Sequence, residues 1–302
     1  MTRQQPRLSV VIVNYNAGSL LSACVRSVVG AWPGDLDGEI LVVDNASTDG
    51  SAEQVAAEYG QVRLVKLEKN LGFGAALNRG LELTPANFVL MLNPDTELRP
   101  GAIDRLLATL EENRRAALVG PRLAYPDGRL QHSAFKFPDL IQLAVDLFPD
   151  LLGRLYDHPL NGRFPVAAYA GPRPFRADFV LGACMLARYG ALAEVGFFDE
   201  AFFMYCEETD LAFRLRRAGW EILCEPRAVV IHHGGASTGR VRTEAFRWLW
   251  ESRFKLFARY YPASFRLAAR LLVRLAASRA ARRPPGTGPD PEVWGQLLRA
   301  LG

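Results

Sequence analysis

The stretch Phe88-Val-Leu-Met-Leu-Asn-Pro-Asp-Thr96 decides how the rest of the chain is interpreted. Its apolar first half is typical of a buried strand, and the Asn-Pro dipeptide ends that strand. Asp95 is therefore expected at the mouth of a sheet, where open α/β folds keep their ligand crevice. A carboxylate there can hold a hard divalent cation, and the cation can hold a phosphate. The alternative is that Asn-Pro-Asp is only a turn, since all three residues are common turn formers.

Apolar runs of the same kind alternate with helical segments before residue 122. Strands are predicted at 8–13, 39–43, 62–67, 88–92 and 117–121, and helices at about 19–29, 51–59, 74–83 and 102–112. This alternation predicts an α/β fold whose parallel sheet carries helices on both faces. The segment 122–178 is irregular and rich in Pro, Gly and aromatic residues, as expected of a functional lid or substrate loop. Beyond it, strands are predicted at 179–188 and 228–231, and helices at 191–195 and 211–218.

The composition is that of an ordinary globular protein, with 302 residues of which 49% are hydrophobic and 23% charged. Such a chain can form one large α/β domain with appendages or two small domains. Its cysteines include no CxxC pair, which favours the reduced thiols of a cytosolic protein over a disulfide framework or a zinc site. No signal peptide is predicted. No apolar run reaches the roughly 18 residues that a membrane-spanning helix needs.

The net charge of +4 is unevenly distributed, because residues 240–283 hold twelve Arg or Lys against two Glu. A basic tail on a mildly acidic body favours a membrane surface or a polyanion as partner. Nucleic acid is not expected, since no basic groove with stacking aromatic residues is evident. Aromatic residues of this tail recur on one helix face, and packing against the rest of the protein explains this pattern no less than a partner surface does. These residues are Phe246, Trp250, Phe254, Phe257 and Tyr261.

Residues 265–279 predict an interfacial amphipathic helix, which fits either a membrane surface or dimerisation. Its predicted apolar face holds Phe265, Ala269, Leu272 and Ala276, and another face holds Arg266, Arg270 and Arg274. A linker and a short terminal helix are predicted for 284–302.

Polar residues follow three of the predicted strands, at 14–16, 44–49 and 93–95. Because the carboxyl ends of parallel strands meet at one sheet edge, these residues are expected to converge. Asp44 suits an imide donor such as N3 of uracil or thymine. Asp49 is better explained as the N-cap of the following helix.

A glycine-rich loop at 70–80 opens the third predicted helix and lets backbone N–H groups approach a phosphate or a ribose. It is not a GxGxxG motif, because Leu77 stands where the third glycine belongs, and it lacks the GK[ST] of a Walker loop. A dinucleotide dehydrogenase or a P-loop enzyme is therefore disfavoured. The alternative is close helix packing by small residues.

Two further motifs carry candidate chemistry. Glu207, Glu208 and Asp210 form an acidic cluster at a helix start, where they either cap the helix or supply a general base. His232-His-Gly-Gly-Ala-Ser237 follows a predicted buried strand, where a histidine is either a structural hydrogen bonder or a metal ligand.

From about residue 7 to 240 the chain resembles glycosyltransferase family 2, the inverting sugar-nucleotide enzymes with the GT-A fold. Within this family it is most similar to rhamnosyltransferase-type members. The resemblance rests on eight motifs in the right order, which are Val11-Ile-Val-Asn-Tyr-Asn16, Val43-Asp-Asn-Ala-Ser-Thr-Asp-Gly50, Asn70-Leu-Gly-Phe-Gly74, Leu92-Asn-Pro-Asp95, Leu181-Gly-Ala-Cys184, Gly196-Phe-Phe-Asp-Glu200, Glu207-Glu-Thr-Asp-Leu211 and His232-His-Gly-Gly-Ala-Ser237.

The resemblance implies a role for each candidate residue. The nucleotide would be bound by Asn14, Tyr15, Asn16, Asp44, Asn70, Gly72, Asn78 and Asn93. The divalent cation, Mg²⁺ or Mn²⁺, would be held by Asp95 and His232, with His232 matching the family spacing better than His233. Asn93 replaces the first Asp of the family's Asp-x-Asp motif, which removes one ligand charge.

The implied general base is Glu208, where the family commonly has Asp, with Glu207 as the competing base and Asp210 in the same catalytic cluster. The donor or acceptor sugar would be faced by Asp178, Gly182 and Ala183.

The resemblance implies a catalytic domain at 1–240, with a nucleotide-binding half at about 7–121 and an acceptor half at about 122–240, followed by a basic helical extension at 241–283. It implies transfer of a sugar, with rhamnose favoured, from a dTDP- or UDP-sugar donor to a glycan or polyprenyl-linked acceptor. The protein is then expected in the cytoplasm, peripherally on the inner face of the membrane, and a homodimer is an open option. The alternative is a non-catalytic sugar-nucleotide-binding or assembly subunit with the same fold.

Overall fold

A mixed β-sheet forms the centre of the computed structural model, which describes residues 6–234, 242–282 and 291–300. The strands are β1 (Leu8–Asn14), β2 (Gly38–Asp44), β3 (Val62–Lys66), β4 (Phe88–Leu92), β5 (Thr96–Leu98), β6 (Ala116–Ala124), β7 (Leu130–Gln131), β8 (Ala134–Phe135), β9 (Phe175–Ala177), β10 (Phe179–Val180), β11 (Cys184–Arg188) and β12 (Glu221–His232). The helices are α1 (Ser19–Gly30), α2 (Ser51–Glu58), α3 (Phe73–Leu83), α4 (Ala102–Glu112), α5 (Leu140–Leu147), α6 (Pro149–Leu152), α7 (Val166–Ala170), α8 (Tyr189–Val195), α9 (Glu207–Arg217), α10 (Arg242–Tyr260), α11 (Ala263–Ala280) and α12 (Pro291–Ala300).

The first half of the sheet is parallel, as predicted, in the order β3-β2-β1-β4. Every residue of β1 is buried, because alternate side chains enter cores on opposite faces. Val10 and Ile12 pack on the α1 side, and Val11 and Val13 pack on the α3 side. The register pairs Asn14 with Asp44, so the carboxyl ends of β1 and β2 lie side by side. The predicted α/β class and the convergence of strand ends are confirmed.

The second half of the sheet departs from the predicted parallel order. β6 does not follow β4, because β11 is inserted between them and runs antiparallel to both. The predicted strand at 179–188 is therefore two strands, β10 and β11, with Leu181–Ala183 between them. β12 is longer than the predicted 228–231 and pairs in parallel with β6 and antiparallel with β5. This pairing brings the end of β12 to the start of β5, beside the β4 end.

The segment 122–178 was expected to be irregular, but it contains short strands and the helices α5, α6 and α7. α5 begins at Asp139, whose side chain accepts a hydrogen bond of 2.8 Å from the backbone N–H of Gln142. This is an ordinary N-cap. Leu143 and Leu147 of α5 are buried against the C-terminal helices. The segment is thus a folded part of the molecule and not a long open loop.

The C-terminal helices pack on the rest of the protein through one cluster, which contains Phe202, Trp250, Phe257, Val273 and Leu297. The packing interpretation of the aromatic residues of α10 is therefore confirmed. No described helix is long and apolar enough to cross a membrane.

The prediction that the Phe265–Leu272 face of α11 meets a membrane is wrong. Phe265 packs on Phe257 and Tyr261, with ring centroids 5.1 and 4.3 Å away, and Leu272 contacts the same cluster. These side chains stabilise the fold and are not available to a bilayer.

Candidate active site

A cleft of about 240 Å³ lies at the sheet edge where β1, β2 and β4 end. Nine of the residues predicted from the sequence line it: Tyr15, Asn70, Asn93, Asp95, Gly182, Ala183, Glu207, Glu208 and His232. Its walls also include residues that the sequence did not single out: Val13, Asn45, Phe73, Pro94, Leu181, Met204 and Tyr205. The remaining predicted residues lie outside this lining.

Asn14 and Asp44 form a buried hydrogen-bonded pair below the cleft. The side-chain amide of Asn14 donates to Asp44 Oδ1 (2.9 Å), Ser47 Oγ (3.1 Å) and Ser51 Oγ (3.0 Å). Both side chains are almost completely buried. In the structure they fix the loop after β2, and a direct contact of either with a nucleoside stays a prediction.

Asn16 and Asp49 also hold this loop. Asn16 has φ 50° and its side-chain oxygen accepts a 2.8 Å hydrogen bond from the backbone N–H of Thr48. Asp49 accepts from the backbone N–H of Gly18 (2.8 Å) and of Ser51 (3.1 Å). The N-cap position of α2 is occupied by Gly50, so Asp49 lies one residue before the position predicted for it.

Asn45 joins the end of β2 to the glycine-rich loop. Its amide donates to Asn70 Oδ1 at 2.8 Å, and its own oxygen accepts from the backbone N–H of Leu71 at 2.9 Å. Asn45 could have been recognised from the sequence as a site residue, because it directly follows Asp44 at the end of a predicted strand. Gly72 has φ 87°, and a Cβ there would overlap the carbonyl oxygen of Phe203. Gly72 therefore allows close packing against the segment before α9, while its nucleotide contact stays a prediction.

Asp95 and His232 meet at the cleft although 137 positions separate them in the chain. His232 Nε2 lies 3.3 Å from Asp95 Oδ1, and His232 Nδ1 lies 3.0 Å from Gln131 Oε1. His233 points elsewhere, with Nε2 2.8 Å from Glu97 Oε1, and the choice of His232 over His233 as a metal ligand stays a prediction. The later residues of this motif, Gly235 and Ser237, lie outside the described residues.

The Asp95–His232 pair fits part of a metal site. A carboxylate oxygen and an imidazole nitrogen are suitable donors for Mn²⁺, and Mg²⁺ is often held by one or two protein ligands together with substrate phosphates. Within the described ranges, no group of three or more His, Cys, Asp or Glu side chains is arranged to hold a cation. A bound cation therefore has to complete its ligand shell with oxygens from elsewhere.

Glu207, which is buried, and Glu208, which is half-buried, begin α9 and line the cleft. Oε2 of each has no hydrogen-bond partner among the described residues. Burial raises the pKa of Glu208 to about 7, and burial together with the neighbouring Glu208 charge raises the pKa of Glu207 well above its usual range. Such perturbed carboxyl groups in a cleft are typical of acid–base catalysis.

The backbone before this pair is strained. Tyr205 and Cys206 have φ of 66° and 64°, a left-handed conformation that non-glycine residues seldom adopt. Each such residue costs on the order of 1–3 kcal/mol, and strain of this kind clusters at functional sites. Gly182 lies next to this pair, and a Cβ added to it would lie 3.9 Å from the Glu208 Cβ. Gly182 therefore leaves open the space beside Glu208.

The sequence profile described as Glycosyl transferase family 2 matches residues 9–164. The chain belongs to glycosyltransferase family 2. It is 35% identical to the N-acetylglucosaminyl-diphospho-decaprenol L-rhamnosyltransferase of Mycobacterium tuberculosis (strain ATCC 25618 / H37Rv) over 249 residues, which cover 77% of this chain and 78% of the relative. It is 37% identical to the rhamnosyltransferase WbbL of Escherichia coli (strain K12) over 178 residues, covering 57% of this chain and 62% of WbbL.

Two solved structures have the same GT-A fold as this glycosyltransferase. GalNAc-T7 with UDP, GalNAc and Mn²⁺ superposes with a TM-score of 0.60 at 16% identity, covering 99% of this chain and 56% of that one. The mannosyltransferase PcManGT of Pyrobaculum calidifontis, in complex with GDP-Man and Mn²⁺, has a TM-score of 0.60 at 17% identity, covering 98% of this chain and 79% of that one. The predicted fold class is confirmed.

Asp210 of the glycosyltransferase does not line the cleft, in contrast to the sequence expectation. It is fully buried and its carboxylate accepts hydrogen bonds from Arg214 Nε (2.8 Å), Arg259 Nη1 (2.9 Å) and Tyr260 Oη (2.8 Å). Both oxygens are therefore engaged, and the residue ties α9 to α10.

Asn78 and Asp178 are likewise placed outside the cleft. The Asn78 side chain donates to the carbonyl of Phe198 (2.9 Å) and accepts from its N–H (3.0 Å), so it holds α3 to that segment. Asp178 accepts from the backbone N–H of Phe137 at 3.0 Å and pairs with Arg216 at 3.5 Å. These contacts support packing roles, and neither residue is positioned by the structure as a wall of the cleft.

Proposed function

We propose that the chain is an inverting glycosyltransferase that moves a sugar from a dTDP- or UDP-sugar to a hydroxyl group of a lipid-linked or polysaccharide acceptor in cell-surface glycan synthesis. The observation that carries the proposal is that one cleft holds both the Asp95–His232 pair and Glu208, whose buried Oε2 has no hydrogen-bond partner among the described residues. The Asp95–His232 pair suits a diphosphate with its cation, and Glu208 suits removal of a proton from the acceptor hydroxyl.

The favoured donor sugar is rhamnose. Support comes from the names of two relatives, both rhamnosyltransferases, found in Mycobacterium tuberculosis and Escherichia coli. The name of the mycobacterial protein also describes a diphospho-decaprenol acceptor that carries N-acetylglucosamine. A polyprenyl-linked acceptor is therefore the favoured partner of this chain.

In the proposed reaction, Glu208 takes the proton of the acceptor hydroxyl as that oxygen attacks the anomeric carbon of the donor. A new C–O bond forms on the face opposite the diphosphate, the bond to the diphosphate breaks, and the configuration inverts. Asp95 and His232 would hold Mg²⁺ or Mn²⁺, which when bound neutralises charge on the leaving nucleoside diphosphate. The apolar lining of the cleft, including Val13, Phe73 and Leu181, limits access of water to the reacting atoms.

Turnover with a panel of nucleotide sugars tests this function. We expect inverted product from dTDP-rhamnose with a polyprenyl-linked N-acetylglucosamine acceptor. Tight donor binding without turnover on any acceptor would instead favour the non-catalytic subunit.

We further expect the Asp95→Ala variant to bind UDP or dTDP equally weakly with and without Mn²⁺, because its half of the cation site is lost. The wild-type protein should bind the same nucleotide well only with the cation, as measured by titration calorimetry. Glu97→Ala is the matched control, since Glu97 lies two residues away and pairs with His233 outside the cleft lining. Equal and tight nucleotide binding by the wild type in EDTA would contradict the cation role.

A further inference from the structure

The outer face of α11 carries a stripe of exposed leucines. Leu267, Leu271 and Leu275 follow one another at four-residue steps and are 59%, 55% and 60% exposed. Residues at this spacing lie on the same side of a helix. The inward side is formed by Ala269, Val273, Ala276 and Ala277, all buried in the C-terminal core. At about 100° per residue, the leucines point away from that core.

A stripe of arginines runs beside the leucines. Arg266, Arg270 and Arg274 each precede one of the leucines and are exposed. None of the three forms an ion pair within the described part of the chain. α11 contains no acidic residue, and its fourth arginine, Arg279, pairs with Asp150 at 3.0 Å. The outer face of α11 is therefore both apolar and positively charged.

We infer that the outer face of α11 is a docking surface for an anionic lipid bilayer. The three arginines complement anionic headgroups, and the three leucines can enter the boundary between headgroups and acyl chains. The helix would lie in the plane of the membrane surface. The leucine stripe differs from the packed Phe265–Leu272 face, so membrane docking does not require any part of the core to open.

The charge on α11 disfavours a second copy of the chain as the occupant. Two-fold pairing of this face would bring the arginine stripes of both copies together, and the helix offers no acid to offset them. Like charges in contact destabilise an interface. An anionic bilayer removes this repulsion.

The docking surface is connected to the candidate base, Glu208, through packed helices. The inner face of α11 shares a core with α10. Arg259 and Tyr260 of α10 bind Asp210, two residues after Glu208 on α9. Docking would hold the cleft at a constant position relative to the membrane. Docking through α11 requires no particular donor or acceptor.

Vesicle flotation of the full chain tests this inference. We expect the wild type to float with phosphatidylglycerol–phosphatidylcholine vesicles, to be released by salt, and to ignore vesicles of phosphatidylcholine alone. Changing Arg266, Arg270 and Arg274 to Gln should lower the partition coefficient on the order of a hundredfold, since each basic residue contributes at the surface. Changing Leu267, Leu271 and Leu275 to Ser should lower it by about tenfold or more.

The matched control removes the same charge from exposed arginines elsewhere, at Arg105, Arg114 and Arg115, and should float as the wild type does. Because all exchanged side chains are exposed, the melting temperatures should remain close to that of the wild type. Equal loss of flotation in the control would show only a non-specific charge effect and overturn the inference. So would a wild-type dimer in sedimentation that dissociates in the leucine variant while anionic vesicles are ignored.

Discussion

Glu208→Gln is expected to lower turnover by about a hundredfold or more while nucleoside diphosphate binding is retained. Gln has nearly the shape of Glu but cannot take the acceptor proton. Single-turnover kinetics with a nucleotide-sugar donor measures the loss, and calorimetry measures binding. Glu207→Gln is the matched control, because Glu207 is the adjacent buried carboxyl in the same cleft. An inactive Glu207→Gln variant beside an active Glu208→Gln variant would move the base by one residue.

The pH dependence follows from the same burial, which raises the pKa of Glu208 from 4.5 to about 7. Only the ionised group accepts a proton, so kcat/KM of the wild type should rise with pH through about 7 and then level. Stability should change in the opposite direction. Between these pKa values the folded state keeps a proton that the unfolded state has lost, so the wild type loses stability as pH rises. Glu208→Gln should show a smaller loss, and the part that remains should come from Glu207, whose pKa is also raised by burial.

Asp210→Ala should destabilise the protein by about 3 kcal/mol and lower turnover indirectly. Removing Asp210 takes away the carboxylate partner of Arg214, and the expected cost is at the low end of the range because Arg259 keeps its ion pair with Asp199 and is 38% exposed. Chemical denaturation measures the free energy of unfolding. Tyr260→Phe is the graded control, since it removes a single hydrogen bond to Asp210 and should cost about 1 kcal/mol.

These variants also separate a positioning role from a catalytic one. If Asp210 acts by holding α9 to α10, the pH at which kcat/KM reaches half its maximum should shift together with the lost stability, and Tyr260→Phe should show a smaller shift. An Asp210→Ala protein with wild-type stability and no turnover would instead restore the catalytic assignment made from the sequence.

Local patterns were sufficient to place the strand ends. Continuous Val, Ile and Leu runs followed by polar residues predicted where Asn14, Asp44 and Asp95 would lie, because a parallel sheet brings equivalent strand ends to one edge. The structure confirms the Asn14–Asp44 register. The residues of this edge were predictable because each is encoded within a few positions of its strand.

Roles that depend on distant pairings could not be predicted in this way. The contact of His232 with Asp95 requires β12 to pair with β5, and nothing in the local sequence specifies that pairing. The engagement of Asp210 depends on Arg259 and Tyr260, about fifty positions later. An acidic residue at a helix start has the same sequence pattern whether it lines a cleft or is bound by arginines, so only the tertiary structure separates the candidate base Glu208 from Asp210.

The sequence of α11 does not show which side of this helix is buried. Two apolar stripes with helical spacing lie on this helix, one containing Phe265 and Leu272 and the other Leu267 and Leu271. Periodicity reports both, but it cannot decide which one the rest of the protein covers. The contact of Phe265 with Phe257 decides it.

The shared core of α5 and α11 limits how segments can be exchanged between family members. Leu143 and Leu147 of α5 belong to the same buried cluster as Val273 and Ala276 of α11, and Asp146 pairs with Arg253 of α10. A chimera that imports only 122–178 therefore joins two surfaces that were selected in different proteins. An exchange that keeps these contacts therefore has to carry 122–178 together with 242–282 and with α9, because Arg259 and Tyr260 of α10 hold Asp210 of α9.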